Sequence, residues 1–337
     1  MSTTKLSPTT IKYLNQYKEN KIEDDLTIIC APTPFGADRP EPECTKAPQH
    51  LLENGLVKTL EECNFNIADI IHVDCTSDGQ VSSCGEAKYK SDVIRVSEMI
   101  AAITEAQILK SRIVVILGGD HSVHLGTGAG LRSACIKLFG YDAEFGQISE
   151  DAHFDLQKLK SSPSKHAHGF TNTANLGAMD DEDFNNIFIE GHKILAENIL
   201  IVGANDPDPD EIEYAKELEV DAVTMQQIVF EGFGVVPKKV DAIRNRVAFL
   251  LHDVDLDGMT KATPMPNNFG LTPQQTLALS MYLGSNPTNG APVKAVQFAE
   301  YSPDRDPDNE TASLISLKLV TTLGARPSPT IYMPNGD

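Results

Sequence analysis

The chain has 337 residues, of which 41% are hydrophobic, so it can bury the core of one large domain or two ordinary ones. Its 48 acidic and 28 basic residues give a formal net charge of −20. This balance argues against nucleic-acid binding, which needs clustered Lys and Arg, and against an anionic membrane surface. The sequence starts without the apolar stretch of a signal peptide, has no apolar run near the about 18 residues of a membrane span, and contains no CxxC pair. We therefore expect a cytoplasmic protein with reduced thiols.

Short apolar runs alternate with longer helical patterns along the chain. Most of the runs are unbroken, as in strands that are buried on both faces of a sheet. The predicted strands are residues 26–30, 67–73, 113–117, 145–149, 199–203, 220–223, 247–252 and 293–298. Residues 92–109 have helical periodicity, and Thr272-Pro273 supplies the N-cap and first residue of another helix. The alternation predicts an α/β fold with a mostly parallel sheet of about eight strands.

Polar stretches at 74–90, 157–168 and 206–210 are predicted loops. No repeat, low-complexity tract or linker separates the chain into parts. We therefore expect a single catalytic domain over residues 23–330, preceded by an N-terminal arm or helix over residues 1–22.

Metal-capable side chains follow three of the predicted strands. The segments are Gly118-Gly119-Asp120-His121-Ser122, Asp151-Ala152-His153-Phe154-Asp155 and His252-Asp253-Val254-Asp255-Leu256-Asp257. In an extended segment alternate residues face one side, so Asp151, His153 and Asp155 would converge. Ligands of open α/β sheets gather at the carboxyl ends of strands, where these segments lie. Four or five carboxylates with two imidazoles are too many for one zinc ion and suit two divalent cations, with Mn²⁺ favoured.

The three motifs, in this order and spacing, resemble those of the ureohydrolase superfamily, which includes arginase, agmatinase, guanidinobutyrase and formimidoylglutamase. The segment Ala47-Pro48-Gln-His-Leu51-Leu52 is also similar to a Gly-Pro-x-x-Leu-Arg piece of that family. The resemblance implies the arginase-like fold, a three-layer α/β/α architecture. It also implies two Mn²⁺ ions per subunit, a small guanidino or amidino substrate, and a homo-oligomer that is a trimer or a hexamer.

The resemblance assigns metal ligands as well. One Mn²⁺ would be held by His121, Asp151, Asp155 and Asp253, and the other by His153, Asp151, Asp253 and Asp255. The Asp253-x-Asp255-x-Asp257 run also allows Asp255 to pair with Asp257 instead. The family's spacing from the preceding strand favours the first pairing, in which Asp257 is no ligand. Asp120, His124 and His252 have structural roles in this interpretation.

The implied chemistry is hydrolysis of a C–N bond. A hydroxide that bridges the two metals would attack the guanidino or amidino carbon. Asp155 would manage the proton that passes to the leaving amine. His168, followed by Gly169, matches the place of a histidine proton shuttle, and Glu300 matches a carboxylate that pairs with the substrate guanidinium.

The substrate is less clearly indicated. Asp208 and Glu211 resemble an arginase segment that contacts the substrate α-amino group, although an acidic helix N-terminus is the alternative. Ser164 and His166 stand in the family's Ser-Gly-Asn substrate loop, and His166 could also be a solvated loop residue. The same loop, residues 157–168, contains three lysines, Lys158, Lys160 and Lys165. They could attract a substrate carboxylate, and the alternative is that they are solvated loop residues.

Other residues resemble formimidoylglutamase. They are Phe154 after His153 and the run Glu300-Tyr-Ser-Pro303, yet Gln157 stands where that subfamily often has Arg. Arginine, hydrolysed to ornithine and urea, is our first hypothesis for the substrate, and formimidoylglutamate, agmatine and guanidinobutyrate are alternatives. A catalytically silent, arginase-like partner protein is an alternative of a different class.

Overall fold

Eight parallel strands form one sheet in this computed structural model, which describes residues 25–37, 43–110, 112–259, 262–263 and 266–325. The strand order is β2-β1-β3-β8-β7-β4-β5-β6. The strands are β1 (Leu26–Ala31), β2 (Ile67–His72), β3 (Ile113–Gly118), β4 (Gly146–Glu150), β5 (Ile199–Val202), β6 (Asp221–Val223), β7 (Leu250–Asp255) and β8 (Val293–Ala299). Each strand overlaps a predicted one, and every pairing is parallel.

Helices connect the strands. They are α1 (Ala47–Glu53), α2 (Leu56–Glu62), α3 (Lys90–Leu109), α4 (Val123–Phe139), α5 (Thr171–Asn175), α6 (Glu182–Asn185), α7 (Pro209–Glu217), α8 (Met225–Glu231), α9 (Val235–Arg244), α10 (Pro273–Ser285) and α11 (Glu310–Thr322). As predicted, Thr272 caps α10, where its side chain accepts a hydrogen bond from the Gln275 amide. Among the described residues, no helix is both long and apolar enough to cross a membrane.

Alternate residues of the buried strands enter two different cores, one on each face of the sheet. On β3, Val114 and Ile116 join one hydrophobic cluster, and Val115 and Leu117 join the other. The first cluster includes apolar residues of α3 and α4, and the second includes those of α9, α10 and α11. Helices therefore cover both faces of the sheet, which confirms the three-layer α/β/α prediction.

The central strands β3, β8, β7 and β4 are neighbours, and their carboxyl ends lie side by side. Strand β7 ends at Asp255, so the predicted strand over 247–252 begins and ends three residues too early. The predicted arm over residues 1–22 lies outside the described residues, and the single domain over 23–330 stays a prediction.

Candidate metal centre

Four chain segments meet at the carboxyl ends of the central strands. His121 follows β3, Asp151 follows β4, Asp257 follows β7, and Glu300 follows β8. The turn after β7 passes so close to β4 that a Cβ on Gly258 would lie 2.9 Å from the backbone N and Cα of Asp151. Glycine therefore allows the β7 and β4 ends to approach each other closely.

The imidazole of His121 faces a group of carboxylates on its Nδ1 side. Its Nδ1 lies 2.7 Å from Asp155 Oδ2, 3.1 Å from Asp255 Oδ2 and 3.7 Å from Asp151 Oδ2. Although these oxygens are near, Nδ1 is buried and has no hydrogen-bond partner in the described part of the chain. A buried ring nitrogen that faces three converging carboxylate oxygens without a hydrogen bond fits a cation bound between them.

The imidazole of His153 faces a second group. Its Nδ1 lies 3.1 Å from Asp257 Oδ2 and 3.6 Å from Asp151 Oδ1. His121 with Asp151 and Asp155, and His153 with Asp151 and Asp257, are two groups whose ligand atoms lie within 4.8 Å of one another. Asp151 belongs to both, which fits two neighbouring cations that share a carboxylate.

Asp253 does not lie where the prediction of a bridging ligand requires it. Its carboxylate is on the other side of the His121 ring, 3.2 Å from Nε2. In the sheet register, Asp253 pairs with Ser149 on β4 and Gln297 on β8, and it hydrogen-bonds to both side chains. The physical reason is the strand's length: β7 runs to Asp255, so Asp253 is still inside the sheet, roughly 6.5 Å before the strand end. The structure thus favours the alternative pairing of Asp255 with Asp257.

Burial and mutual repulsion make this cluster unstable as a set of free anions. Burial first, and then the charges of Asp155 and Asp257, raise the pKa of Asp151 well above its ordinary value. Burial and the Asp257 charge do the same to the pKa of Asp255. Burial would lower the pKa of His121, but Asp253 and the other carboxylates raise it well above the ordinary value. These directions describe a site that requires positive charge, whether from protons or from metal ions.

The two predicted catalytic carboxylates have unusual backbone conformations. Asp155 has a φ of 52° and Glu300 a φ of 58°, in the left-handed region that non-glycine residues rarely adopt. The Asp155 carbonyl accepts hydrogen bonds from the amides of Asn172 and Thr173, and the Glu300 amide donates to the Gly119 carbonyl. Such conformations cost free energy and cluster at functional sites.

Glu300 and His168 both lie beside the cluster, and their predicted catalytic roles stay predictions. Glu300 Oε1 accepts a 2.9 Å hydrogen bond from the His121 amide. Burial, followed by the charges of Asp255 and Asp120, raises the pKa of Glu300 well above its ordinary value. Burial lowers the pKa of His168, so its imidazole is neutral near pH 7 and can accept a proton.

The predicted α-amino contacts, Asp208 and Glu211, lie at the start of α7. Asp208 is the N-cap and forms a capping box with Glu211, so the alternative of an acidic helix N-terminus is correct for the local structure. Glu211 also accepts a 3.0 Å hydrogen bond from the Leu156 amide, next to Asp155. Burial raises the pKa of Glu211 to about 7. The exposed Asp208 accepts a 2.6 Å hydrogen bond from Gln157 Nε2.

The remaining loop residues have mixed positions. His166 is buried rather than solvated, with its ring centroid 6.5 Å from that of His168, and its amide donates to Ser164 Oγ. Lys158 stacks over the Tyr214 ring, with its Nζ 4.2 Å from the centroid. Lys165 donates from Nζ to the carbonyls of Gly85 and Leu159, whereas Lys160 is exposed. Two of the three lysines therefore hold loops and do not point at a substrate carboxylate.

The structural roles predicted for the flanking residues agree with their contacts. Asp120 accepts hydrogen bonds from the amides of Gly36 and Ser122 and so holds a turn. His124 lies 3.1 Å from Gln147 Oε1, and His252 lies 2.7 Å from Glu150 Oε1.

Asp257 is the residue that the preferred interpretation of the sequence left out of the site. Its place in the Asp-x-Asp-x-Asp run was the available signal.

Comparisons with known proteins agree with this geometry. A sequence model described as the arginase family matches residues 24–324. An arginase of Brevibacillus brevis is 31% identical over 243 residues, which cover 70% of this chain and 76% of that protein. The native structure of an arginase from Bacillus caldovelox has a TM-score of 0.81 at 23% identity, covering 90% of this chain and 99% of that chain. Formimidoylglutamase from Bacillus subtilis shares the fold with a TM-score of 0.64 at 16% identity, covering 91% and 88%. The family model spans most of the chain, which therefore belongs to the arginase family of metal-dependent hydrolases that act on guanidino compounds.

Proposed function

We propose that the centre binds two divalent cations, and that manganese is the metal because carboxylate-rich ligand sets suit it. The first cation would be held by His121 with Asp151, Asp155 and Asp255. The second would be held by His153 and Asp257, with Asp151 and Asp255 shared. The observation that carries the proposal is the convergence of these groups, of which all but the half-buried His153 are buried. Among the described residues, no lysine or arginine nitrogen lies within 4.0 Å of the four carboxylates to neutralise them.

The surrounding residues would perform the rest of the hydrolysis. When bound, the two cations supply Lewis acidity and lower the pKa of a water molecule, which becomes the nucleophile at neutral pH. Glu300 offers a buried carboxylate that pairs with the substrate guanidinium and offsets its repulsion from the cations. Asp155 Oδ2 accepts a hydrogen bond from Thr171 and faces His121 Nδ1, which leaves Oδ1 to pass a proton to the leaving amine. His168 accepts or returns a proton at the mouth of the site.

Arginine is the substrate that the rim of the site favours. Acidic groups face the start of the loop that begins at Asp155: Glu211 touches the Leu156 amide, and Asp208 touches Gln157. An acidic rim attracts a substrate whose tail carries an amine, as arginine and agmatine do. It disfavours formimidoylglutamate and guanidinobutyrate, whose tails carry carboxylates and no amine. Gln157 and Ser164 offer an amide and a hydroxyl to the carboxylate that distinguishes arginine from agmatine.

A substrate panel tests the reaction. Protein loaded with Mn²⁺ is incubated with arginine, agmatine, guanidinobutyrate and formimidoylglutamate, and urea or formamide release is measured. We expect urea and ornithine from arginine at the highest kcat/KM. Highest activity on a substrate with a carboxylate-only tail would contradict the choice of arginine and leave the reaction class intact. No release from any guanidino substrate would contradict the proposed reaction.

Metal binding is tested with matched carboxylate variants. Equilibrium dialysis should give two Mn²⁺ per chain for the unmodified protein. Asp257→Asn should lose one of them, and Asp255→Asn, which removes a shared carboxylate, should lose both. Asp210→Asn, in the exposed first turn of α7, is the control and should change neither. Light scattering on the same samples tests the predicted trimer or hexamer.

A further inference from the structure

A fully buried carboxylate lies directly behind His121, on the side away from the proposed cations. Asp253 Oδ2 and Oδ1 are 3.2 Å and 3.3 Å from His121 Nε2. The same carboxylate accepts a 2.9 Å hydrogen bond from Ser149 Oγ and a 2.7 Å hydrogen bond from Gln297 Nε2. In the described part of the chain, no lysine or arginine nitrogen lies within 4.0 Å of it. An anion in this position needs a compensating positive group.

His124 does not supply that compensation. Gln147 donates through Nε2 to Ser149 and Asn172, so its Oε1 is the acceptor for His124 Nε2. The His124 proton is therefore on Nε2, and Nδ1 is the bare nitrogen that accepts from Gln297 Nε2 at 3.3 Å. A neutral His124 presents no N–H to Asp253, although its Nδ1 is only 3.6 Å away. Of the two imidazoles beside Asp253, His121 is therefore the one that presents an N–H to the carboxylate.

A carboxylate on one nitrogen of an imidazole determines what the other nitrogen can do. Asp253 accepts hydrogen bonds only, so His121 donates its Nε2–H to it. In the neutral ring that binds a cation, the lone pair is then on Nδ1. Nδ1 is the atom that faces Asp155, Asp255 and Asp151. A carboxylate that accepts from a metal-bound histidine fixes the ring's tautomer and orientation and makes the ligand more basic.

The carboxylate is itself held rigidly. Ser149 on β4 and Gln297 on β8 donate hydrogen bonds to the Asp253 carboxylate from the two neighbouring strands. Thr127 in turn donates to Gln297 Oε1 at 2.6 Å. The network continues from Ser149 through Gln147 to Asn172, whose side chain donates to the Phe154 carbonyl at 2.8 Å. The same hydrogen-bonded group thus supports both His121 and the segment that carries Asp155.

We propose that Asp253 is a positioning residue and not a metal ligand: it orients His121 and supplies a buried negative charge that strengthens cation binding at that ring. The inference rests on the proposed two-metal function of the site. It predicts that loss of the Asp253 charge weakens one cation about 10- to 100-fold without removing it. A bridging role would instead predict that both cations are lost together.

The test compares metal affinity and imidazole tautomer. Mn²⁺ affinities of the unmodified protein, Asp253→Asn, Asp255→Asn and Asp257→Asn are measured by chelator competition. We expect Asp253→Asn to keep two sites, with one weakened about 10- to 100-fold. Two sites of unchanged affinity, or loss of both as in Asp255→Asn, would overturn the inference. An unmodified protein that binds no Mn²⁺ would overturn the proposed function and the inference with it.

A second measurement does not depend on a variant that folds. In the unmodified protein loaded with diamagnetic Zn²⁺, imidazole ¹H–¹⁵N correlation spectra should show His121 protonated on Nε2, with the proton shifted downfield by its hydrogen bond to a carboxylate. In Asp253→Asn the same proton should move upfield, because the acceptor is then neutral. Protonation on Nδ1 of His121 in the unmodified protein would contradict the role of Asp253.

Discussion

An ion pair excluded from solvent lies beneath the candidate site and provides a measurable test of how the fold is stabilised. Lys318 Nζ on α11 lies 2.6 Å from Glu150 Oε1 on β4, and both side chains are fully buried. His252 Nε2 contacts the same oxygen at 2.7 Å, Thr276 donates to the other oxygen of Glu150, and Ser280 Oγ lies 3.2 Å from Nζ. Removing either partner therefore leaves a buried charge without its counter-charge.

The expected magnitude follows from that loss. Breaking a buried pair costs about 3–5 kcal/mol. In Lys318→Met, Glu150 keeps His252 and Thr276 as partners, so we expect the lower end, about 3 kcal/mol. Glu150→Gln should cost a similar amount because it strands the ammonium. The double variant should cost less than the sum of the two by about 2–3 kcal/mol, since no uncompensated charge remains.

Urea denaturation of the four proteins measures these costs. The matched control is Lys58→Met, which breaks an exposed Lys58–Glu62 pair 3.7 Å apart and should change the free energy of unfolding by less than about 1 kcal/mol. Single variants that each cost less than about 1 kcal/mol, or costs that simply add, would refute the reasoning that the pair compensates two buried charges.

Four further outcomes are expected. Burial would raise the pKa of Glu150, but Lys318 and hydrogen bonds lower it from the ordinary 4.5 to about 2. The ionised Glu150 therefore contributes about 3 kcal/mol to the free energy of unfolding above pH 4.5, and this contribution is lost as the pH falls toward 2. Acid unfolding curves should show this loss, and Glu150→Gln should flatten it. Chelation should lower the unfolding midpoint, and restoring Mn²⁺ at 1,000 times its Kd should return about 4 kcal/mol for each ion bound; no shift would contradict a metal centre. Glu300→Gln should lower kcat/KM for arginine about 100-fold with two Mn²⁺ still bound, and loss of metal instead would make Glu300 a ligand. Gly258→Ala should weaken Mn²⁺ binding, because its Cβ would displace the Asp151 backbone, and unchanged affinity would contradict that close approach.

The strands were predictable because parallel strands covered on both faces are unbroken apolar runs. β3 is the clearest case: all six of its residues are buried, and the predicted run at 113–117 differs by one residue from the strand. The order of the strands was not predictable in the same way. β8 is last in the chain yet lies between β3 and β7, and this insertion brings Glu300 next to His121. Only the resemblance to a known family suggested that juxtaposition.

The difference between the predicted bridging position of Asp253 and its place inside the sheet has a definite physical origin. Asp253, Asp255 and Asp257 occupy alternate positions, so they lie on one face as long as the chain is extended. This pattern does not indicate at which residue the strand leaves the sheet. The apolar run predicted that the strand ends at His252, because charged residues such as Asp253 were not expected inside a buried strand. The interior of β7 instead contains His252, which is paired with Glu150, and Asp253, which is held by Ser149 and Gln297. Partners on neighbouring strands make buried polar residues tolerable there.

One Asp-x-Asp-x-Asp run can therefore fill two different roles. A carboxylate inside the sheet is surrounded by donors from the registered strands, so it can support a ligand but cannot reach a second cation. A carboxylate at or beyond the strand end has space on its outer side, as Asp255 and Asp257 have beside His121 and His153. We therefore expect the last residue of β7 in the sheet, Asp255, to decide which pairing binds metal. Metal stoichiometry in Asp253→Asn and Asp257→Asn is the direct measure of that decision.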